Sequence, residues 1–113
     1  MATPKIIWED EAIRLLETRD RYTRNAVREE FRREPQRDAV EYDPAQHAFV
    51  TPVFNRRFGV VWQLDEPRQC ALVTAVVALT VDLDEFRTPD RQEQLKDYVQ
   101  RAVHSESKGQ ALA

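Results

Sequence analysis

The run Phe58-Gly59-Val60-Val61-Trp62-Gln63-Leu64, followed beyond Asp65-Glu66-Pro67-Arg68-Gln69 by Ala71-Leu72-Val73-Thr74-Ala75-Val76-Val77-Ala78-Leu79-Thr80, sets the architecture. The first run alternates, which puts Phe58, Val60, Trp62 and Leu64 on one face of a strand. The second is apolar at nearly every position and rich in β-branched residues, the composition of a central strand covered on both faces. The polar stretch between them reads as a hairpin turn. Upstream, Ala39-Val40-Glu41-Tyr42 and Ala48-Phe49-Val50-Thr51 read as shorter strands joined by the turn Asp43-Pro44-Ala45-Gln46. Pro52 lacks a ladder donor and suggests an edge position. Together these runs predict a small antiparallel sheet.

Helical spacing flanks the strands on either side. Lys5-Ile6-Ile7-Trp8 reads as a short strand, and Asp10 is placed to cap the helix that follows. At 100° per residue, Ala12, Ile13, Leu15, Leu16, Tyr22, Ala26, Val27 and Phe31 fall on one arc of about 180°. Pro35 stops the helix by Glu34. The stretch Glu17-Thr18-Arg19-Asp20-Arg21 has no apolar residue, so the segment is one long helix or a hairpin bent there, with the hairpin preferred. Thr88-Pro89-Asp90 opens a last helix whose stripe is Leu95, Tyr98, Val99, Ala102 and Val103. The fold class predicted is α+β: an N-terminal helical hairpin or long helix on a small antiparallel sheet, plus a C-terminal helix. Residues 1–104 form one domain, and the small polar stretch from Ser105 onward predicts a disordered tail over 105–113.

Composition narrows the function. A chain of 113 residues buries roughly two-thirds of its unfolded surface, enough for one core. Cys70 is the only cysteine, so neither a disulfide nor a cysteine zinc site is expected, and no His, Cys, Asp or Glu cluster has metal spacing. With only Gly59 and Gly109, no phosphate-binding loop can be written, and no cofactor is expected. No apolar run is long enough for a signal peptide or a membrane span, which points to the cytoplasm and away from membranes. A net charge of −3 disfavours nucleic acid as a partner. Of the 17 basic residues 14 are Arg, and seven of these fall between positions 19 and 37, where they outnumber acids by three. That is the one cationic cluster visible from charge.

Few residues suggest chemistry. His47 lies in a turn and could act as a general base, against the alternative of a solvated turn histidine. Arg56 and Arg57 open the third strand. They could hold a phosphate or carboxylate bidentately, or simply pair with Asp38, Glu41 or Asp43. Cys70 and His104 read as structural. Within the cationic cluster, Arg24, Arg28 and Arg32 form either a solvated face or a partner-binding surface, and Phe54 beside Asn55 could be an exposed aromatic that joins them.

The order of elements resembles the RelE/ParE superfamily of small bacterial toxins over about residues 5–80. The resemblance is carried by Ile7-Trp8-Glu9-Asp10-Glu11-Ala12, by Arg56-Arg57-Phe58-Gly59-Val60-Val61-Trp62, and by the acidic turn and apolar strand that follow. It implies a toxin neutralised by an antitoxin. RelE-like members cut ribosome-bound messenger RNA, whereas ParE-like members poison DNA gyrase by binding it. Only Arg56 or Arg57 matches the family's strand arginine. Leu79-Thr80-Val81 lacks the second arginine, Ala48-Phe49-Val50-Thr51 carries no basic residue, and Phe86 has no hydroxyl where many nucleases keep an ionisable aromatic. RNA cleavage would fall to His47, Arg56 and Arg57 alone. The balance is therefore toward a non-enzymatic protein that binds a protein partner, either antitoxin-like or a second copy of itself. An endoribonuclease and a non-toxin regulatory dimer are the alternatives.

Overall fold

The computed structural model describes residues 5–112, and the side chains of residues 5–107. Strand β1 (Lys5–Trp8) leads into α1 (Asp10–Glu17) and α2 (Arg21–Arg33). Strands β2 (Val40–Asp43), β3 (Ala48–Val53), β4 (Phe58–Asp65) and β5 (Cys70–Ala78) follow, with a short 3-10 turn at Pro44–Gln46 between β2 and β3. After 3-10 turns at Leu83–Phe86 and Pro89–Arg91, the chain ends in α3 (Gln92–Leu112). The sheet order is β1-β5-β4-β3-β2. Among the described residues no helix is long and apolar enough to cross a membrane.

The sheet departs from the antiparallel expectation in one strand. β2 through β5 form the antiparallel meander, but β1 pairs parallel with β5, Ile6 opposite Ala71 and Trp8 opposite Val73. A parallel neighbour needs a long connection, which the intervening helices and strands supply. Four residues carry too little pattern to announce a direction. β1 reaches only as far as Val73. Beyond that point α1 packs on β5, giving Ala12 and Leu16 to one core cluster and Leu15 to the other, so it closes an edge that would otherwise be open.

Pro52 does not mark an edge strand. β3 is internal, and Pro52 is buried opposite Gly59 of β4. It stands two residues past Val50, where the β2 ladder ends, so the missing donor costs no hydrogen bond there. In β5, Thr74 is an extra residue between the pairs Val61–Ala75 and Trp62–Val73. This bulge puts Val73 and Val76 on one face and Ala75 and Val77 on the other, which lets an unbroken apolar run serve two cores.

The N-terminal segment is two helices and not one long helix, and only loosely matches the hairpin expected. Thr18 ends α1, and Asp20 caps α2 by accepting from the Thr23 N–H at 3.1 Å. That break shifts the helical phase, and Tyr22, assigned above to the apolar arc, emerges 72% exposed. Ala12, Leu16, Val27 and Phe31 cover one sheet face with Val60, Trp62, Val73 and Val76. Phe31 stands edge-on to both Trp8 and Trp62, and Phe49 stacks on Trp62 at 4.7 Å. Leu95 and Val99 of α3 close the opposite face over Val50, Val61, Ala75 and Val77.

The sequence reading placed a tail from residue 105, whereas α3 runs on to Leu112. Glu106 accepts from Arg19 at 3.1 Å and from the Ala78 N–H at 3.3 Å, and the Ser107 hydroxyl donates to Glu11 at 2.5 Å. Polar partners hold the turn at Glu106 and Ser107, which hydrophobic periodicity could not reveal. Ala113 lies outside the described residues.

Candidate functional site

The β3–β4 turn holds most of the groups singled out from sequence. Phe54, Asn55 and Arg56 all take left-handed backbone angles, with φ of 54°, 56° and 61°. Such conformations are disfavoured for side-chain-bearing residues and persist only where the surroundings enforce them. One enforcing contact is clear: the Phe54 N–H donates to Glu30 of α2 at 2.8 Å. The turn therefore fixes where Phe54, Arg56 and Arg57 point.

Arg56 is occupied. Its guanidinium lies 3.3 Å from Asp84, 3.6 Å from Asp38 and 3.8 Å from Asp82. Arg87 joins the same belt, donating to Asp84 at 2.7 Å and to the Asp38 carbonyl at 3.0 Å. The Arg87 hydrogen bond, helped by the Arg56 charge, holds the Asp84 carboxyl below the usual range. Of the neighbours read as partners for Arg56 (Asp38, Glu41 and Asp43), Asp38 is the one within reach.

Arg57 stands apart from that belt. It lies over the Phe54 ring at 5.8 Å and has no carboxylate within 4.0 Å among the described residues. Phe54 stacks on Phe58 at 6.1 Å and meets exposed Tyr22 edge-on at 5.9 Å. Phe58 in turn carries Arg19 over its ring at 4.9 Å, and Arg19 is paired with Glu106. Two arginine–phenylalanine units thus sit side by side, one with a carboxylate and one without.

His47 is elsewhere. It precedes β3, whereas Arg56 and Arg57 follow it, and a six-residue strand separates the two ends by about 20 Å. It is exposed, with Nε2 3.8 Å from Glu66, beside a shallow depression formed with Gln63, Leu64 and Pro67. No single substrate atom can touch His47 and Arg57 together. Arg24, Arg28 and Arg32, at four-residue spacing, form a row on the flank of α2 facing Trp8, over whose ring Arg28 lies at 5.8 Å. Arg32 is engaged by Glu29 through two hydrogen bonds, at 2.6 and 3.1 Å. Phe54 contacts the other flank, through Glu30, about 160° around the helix from Arg28. The four proposed partner-binding residues therefore belong to two surfaces. Sequence reasoning missed Tyr22 and Arg19 as members of the Phe54 surface. The signal was Asp20 as the cap of a second helix, which rephases Tyr22.

Among the described residues no cluster of three or more His, Cys, Asp or Glu side chains could hold a metal. Cys70 is buried and unpaired, its thiol directed at the Arg68 carbonyl.

The fold and this turn define a small α+β protein with a mixed five-stranded sheet, helices on both faces and an aromatic, cationic corner. A chain of the crystal structure of the toxin–antitoxin complex RelBE2 from Mycobacterium tuberculosis is similar to it, with a TM-score of 0.55 at 16% identity, covering 69% of this chain and 100% of that one. That likeness is one of fold alone. No protein-family model matches the chain, and no curated protein matches it in sequence.

Proposed function

We propose that this chain is a RelE/ParE-like protein of the toxin–antitoxin type that works in the bacterial cytoplasm by binding a protein partner and not by cutting RNA. The observation that carries the reading is the covered sheet. With α1 and α2 packed on one face and Leu95 and Val99 of α3 on the other, the central strands are covered on both faces among the described residues, which leaves a messenger RNA little sheet surface to lie on. The groups needed for cleavage support the same reading. A base, a leaving-group donor and cationic stabilisation must converge on one phosphate, yet His47 and Arg57 stand a strand length apart and Arg56 is held by three carboxylates. Fold likeness to a chain of a toxin–antitoxin complex supports the class of protein, with an antitoxin-like neutralising partner and a protein target such as gyrase as its ParE-like form.

Primer extension on ribosome-associated messenger RNA incubated with the purified chain tests this reading. New 5′ ends are expected to be absent. Cleavage that disappears in Arg57→Ala would overturn it in favour of the endoribonuclease.

A further inference from the structure

We infer that the corner formed by Tyr22, Phe54 and Arg57 is a docking surface for an acidic, apolar segment of a protein partner, with Arg57 taking a partner carboxylate and Tyr22 and Phe54 an apolar side chain. The inference rests on the protein-binding reading above and gives it a surface and a chemistry.

The chain itself supplies the precedent. Arg19 lies over Phe58 and is completed by the Glu106 carboxylate, which accepts from the guanidinium at 3.1 and 3.2 Å. Arg57 lies over Phe54 in the neighbouring unit and is not completed by any carboxylate among the described residues. The two rings are stacked 6.1 Å apart, so the units share one aromatic column. A guanidinium beside a ring that has no carboxylate of its own can present its N–H fork to a partner carboxylate, which it receives bidentately. Beside it Tyr22, 72% exposed, is the one large hydrophobic side chain so exposed among the described residues. Rigid aromatics beside an arginine form the kind of anchor that dominates protein interfaces.

The corner is also preset. Glu30 fixes Phe54 through its N–H, and three successive left-handed residues hold the turn, so little ordering is left to occur on binding. Aromatic and arginine side chains also suit single-stranded RNA. Here, however, Glu30 and Glu106 flank the column, and a polyanion would meet both. A segment with spaced carboxylates can set one on Arg57 and place apolar side chains elsewhere along the column, so it carries less charge past Glu30 and Glu106 than a chain with a phosphate at every nucleotide.

Fluorescence anisotropy with the folded chain tests the surface, using as probe a labelled helical peptide of alternating glutamate and leucine pairs, its glutamine counterpart, and a labelled uridine oligomer. The glutamate peptide is expected to bind, about tenfold more tightly than the glutamine peptide, and to lose about tenfold in Arg57→Ala and in Tyr22→Ala. Both side chains are exposed, so circular dichroism should confirm an unchanged fold. Absence of binding, equal affinity for the two peptides, indifference to both substitutions, or tighter capture of the uridine oligomer would overturn the proposal. So would a concentration-dependent dimer in light scattering that Arg57→Ala dissolves, because the occupant would then be a second copy. Peptide affinity reads the corner alone and primer extension reads RNA cleavage alone, so failure of one reading is distinguishable from failure of the other.

Discussion

Trp62 donates its indole N–H to the Thr51 hydroxyl at 2.9 Å, and Thr51 donates onward to the Pro35 carbonyl at 2.5 Å. Both side chains are only 1% exposed. The relay ties β4 to β3 and β3 to the end of α2, and it satisfies three polar groups that water cannot reach. Thr51→Val keeps the shape and removes the hydroxyl, leaving the indole N–H and the carbonyl unpaired. Each unsatisfied group costs about 1–3 kcal/mol. Urea unfolding is expected to show a loss of about 3 kcal/mol with an unchanged slope. A loss below about 0.5 kcal/mol would mean that the relay is not formed.

Gly59 is fixed by its neighbours and not by its backbone angles. A Cβ there would stand 2.9 Å from Val50 Cγ2 and 3.0 Å from Leu79 Cδ2. Val50 is fully buried beneath α3 and stiff at χ1, so it cannot yield freely. Gly59→Ala should destabilise by about 1–2 kcal/mol. Val50→Ala in the same chain should recover part of that loss, and additive effects in thermal unfolding would contradict the assigned contact.

The Arg19–Glu106 pair, with side chains 30% and 23% exposed, joins the α1–α2 connection to the far end of α3. A half-buried pair of this kind contributes about 1 kcal/mol of coupling. A double-mutant cycle over Arg19→Ala and Glu106→Gln should show it. Ending the chain at His104 should also lower the melting temperature, since the Ala78 N–H would lose its carboxylate as well. Melting unchanged by the truncation would restore the disordered tail expected from sequence.

Tyr42 provides a test at alkaline pH. Burial, with a contribution from Asp43, pushes its hydroxyl up to about 12. An unfolded tyrosine ionises near 10. The native state thus holds the proton more tightly, and the associated stability is complete below pH 10 and lost as pH rises toward 12. Tyr42→Phe should flatten this limb in unfolding measurements between pH 9 and 12. An unchanged slope would place the hydroxyl in water.

Sequence made the meander legible because alternation and β-branched runs report directly on a two-faced sheet, as Phe58 to Leu64 and Ala71 to Ala78 do. Direction was not legible for Lys5–Trp8, and neither was the continuation of α3 past His104, where Glu106 and Ser107 make polar contacts that hydrophobic periodicity does not report. At the candidate site, Asp38 was a foreseeable partner for Arg56, because antiparallel pairing of β2 with β3 brings the residues before Val40 beside the end of β3 and its turn. Asp82 and Asp84 were not, because the chain leaves β5 before bringing them back. A single helical arc over residues 11–34 sets Tyr22 with the core, and the break that Asp20 caps rephases it toward solvent.

Growth of a bacterial culture after induced expression tests the central claim most directly. Induction of the native chain is expected to arrest growth, Arg57→Ala and Tyr22→Ala to relieve the arrest at equal expression, and His47→Ala to leave it intact. Arrest that survives both corner substitutions and vanishes with His47→Ala, or unimpeded growth on induction of the native chain, would contradict the account.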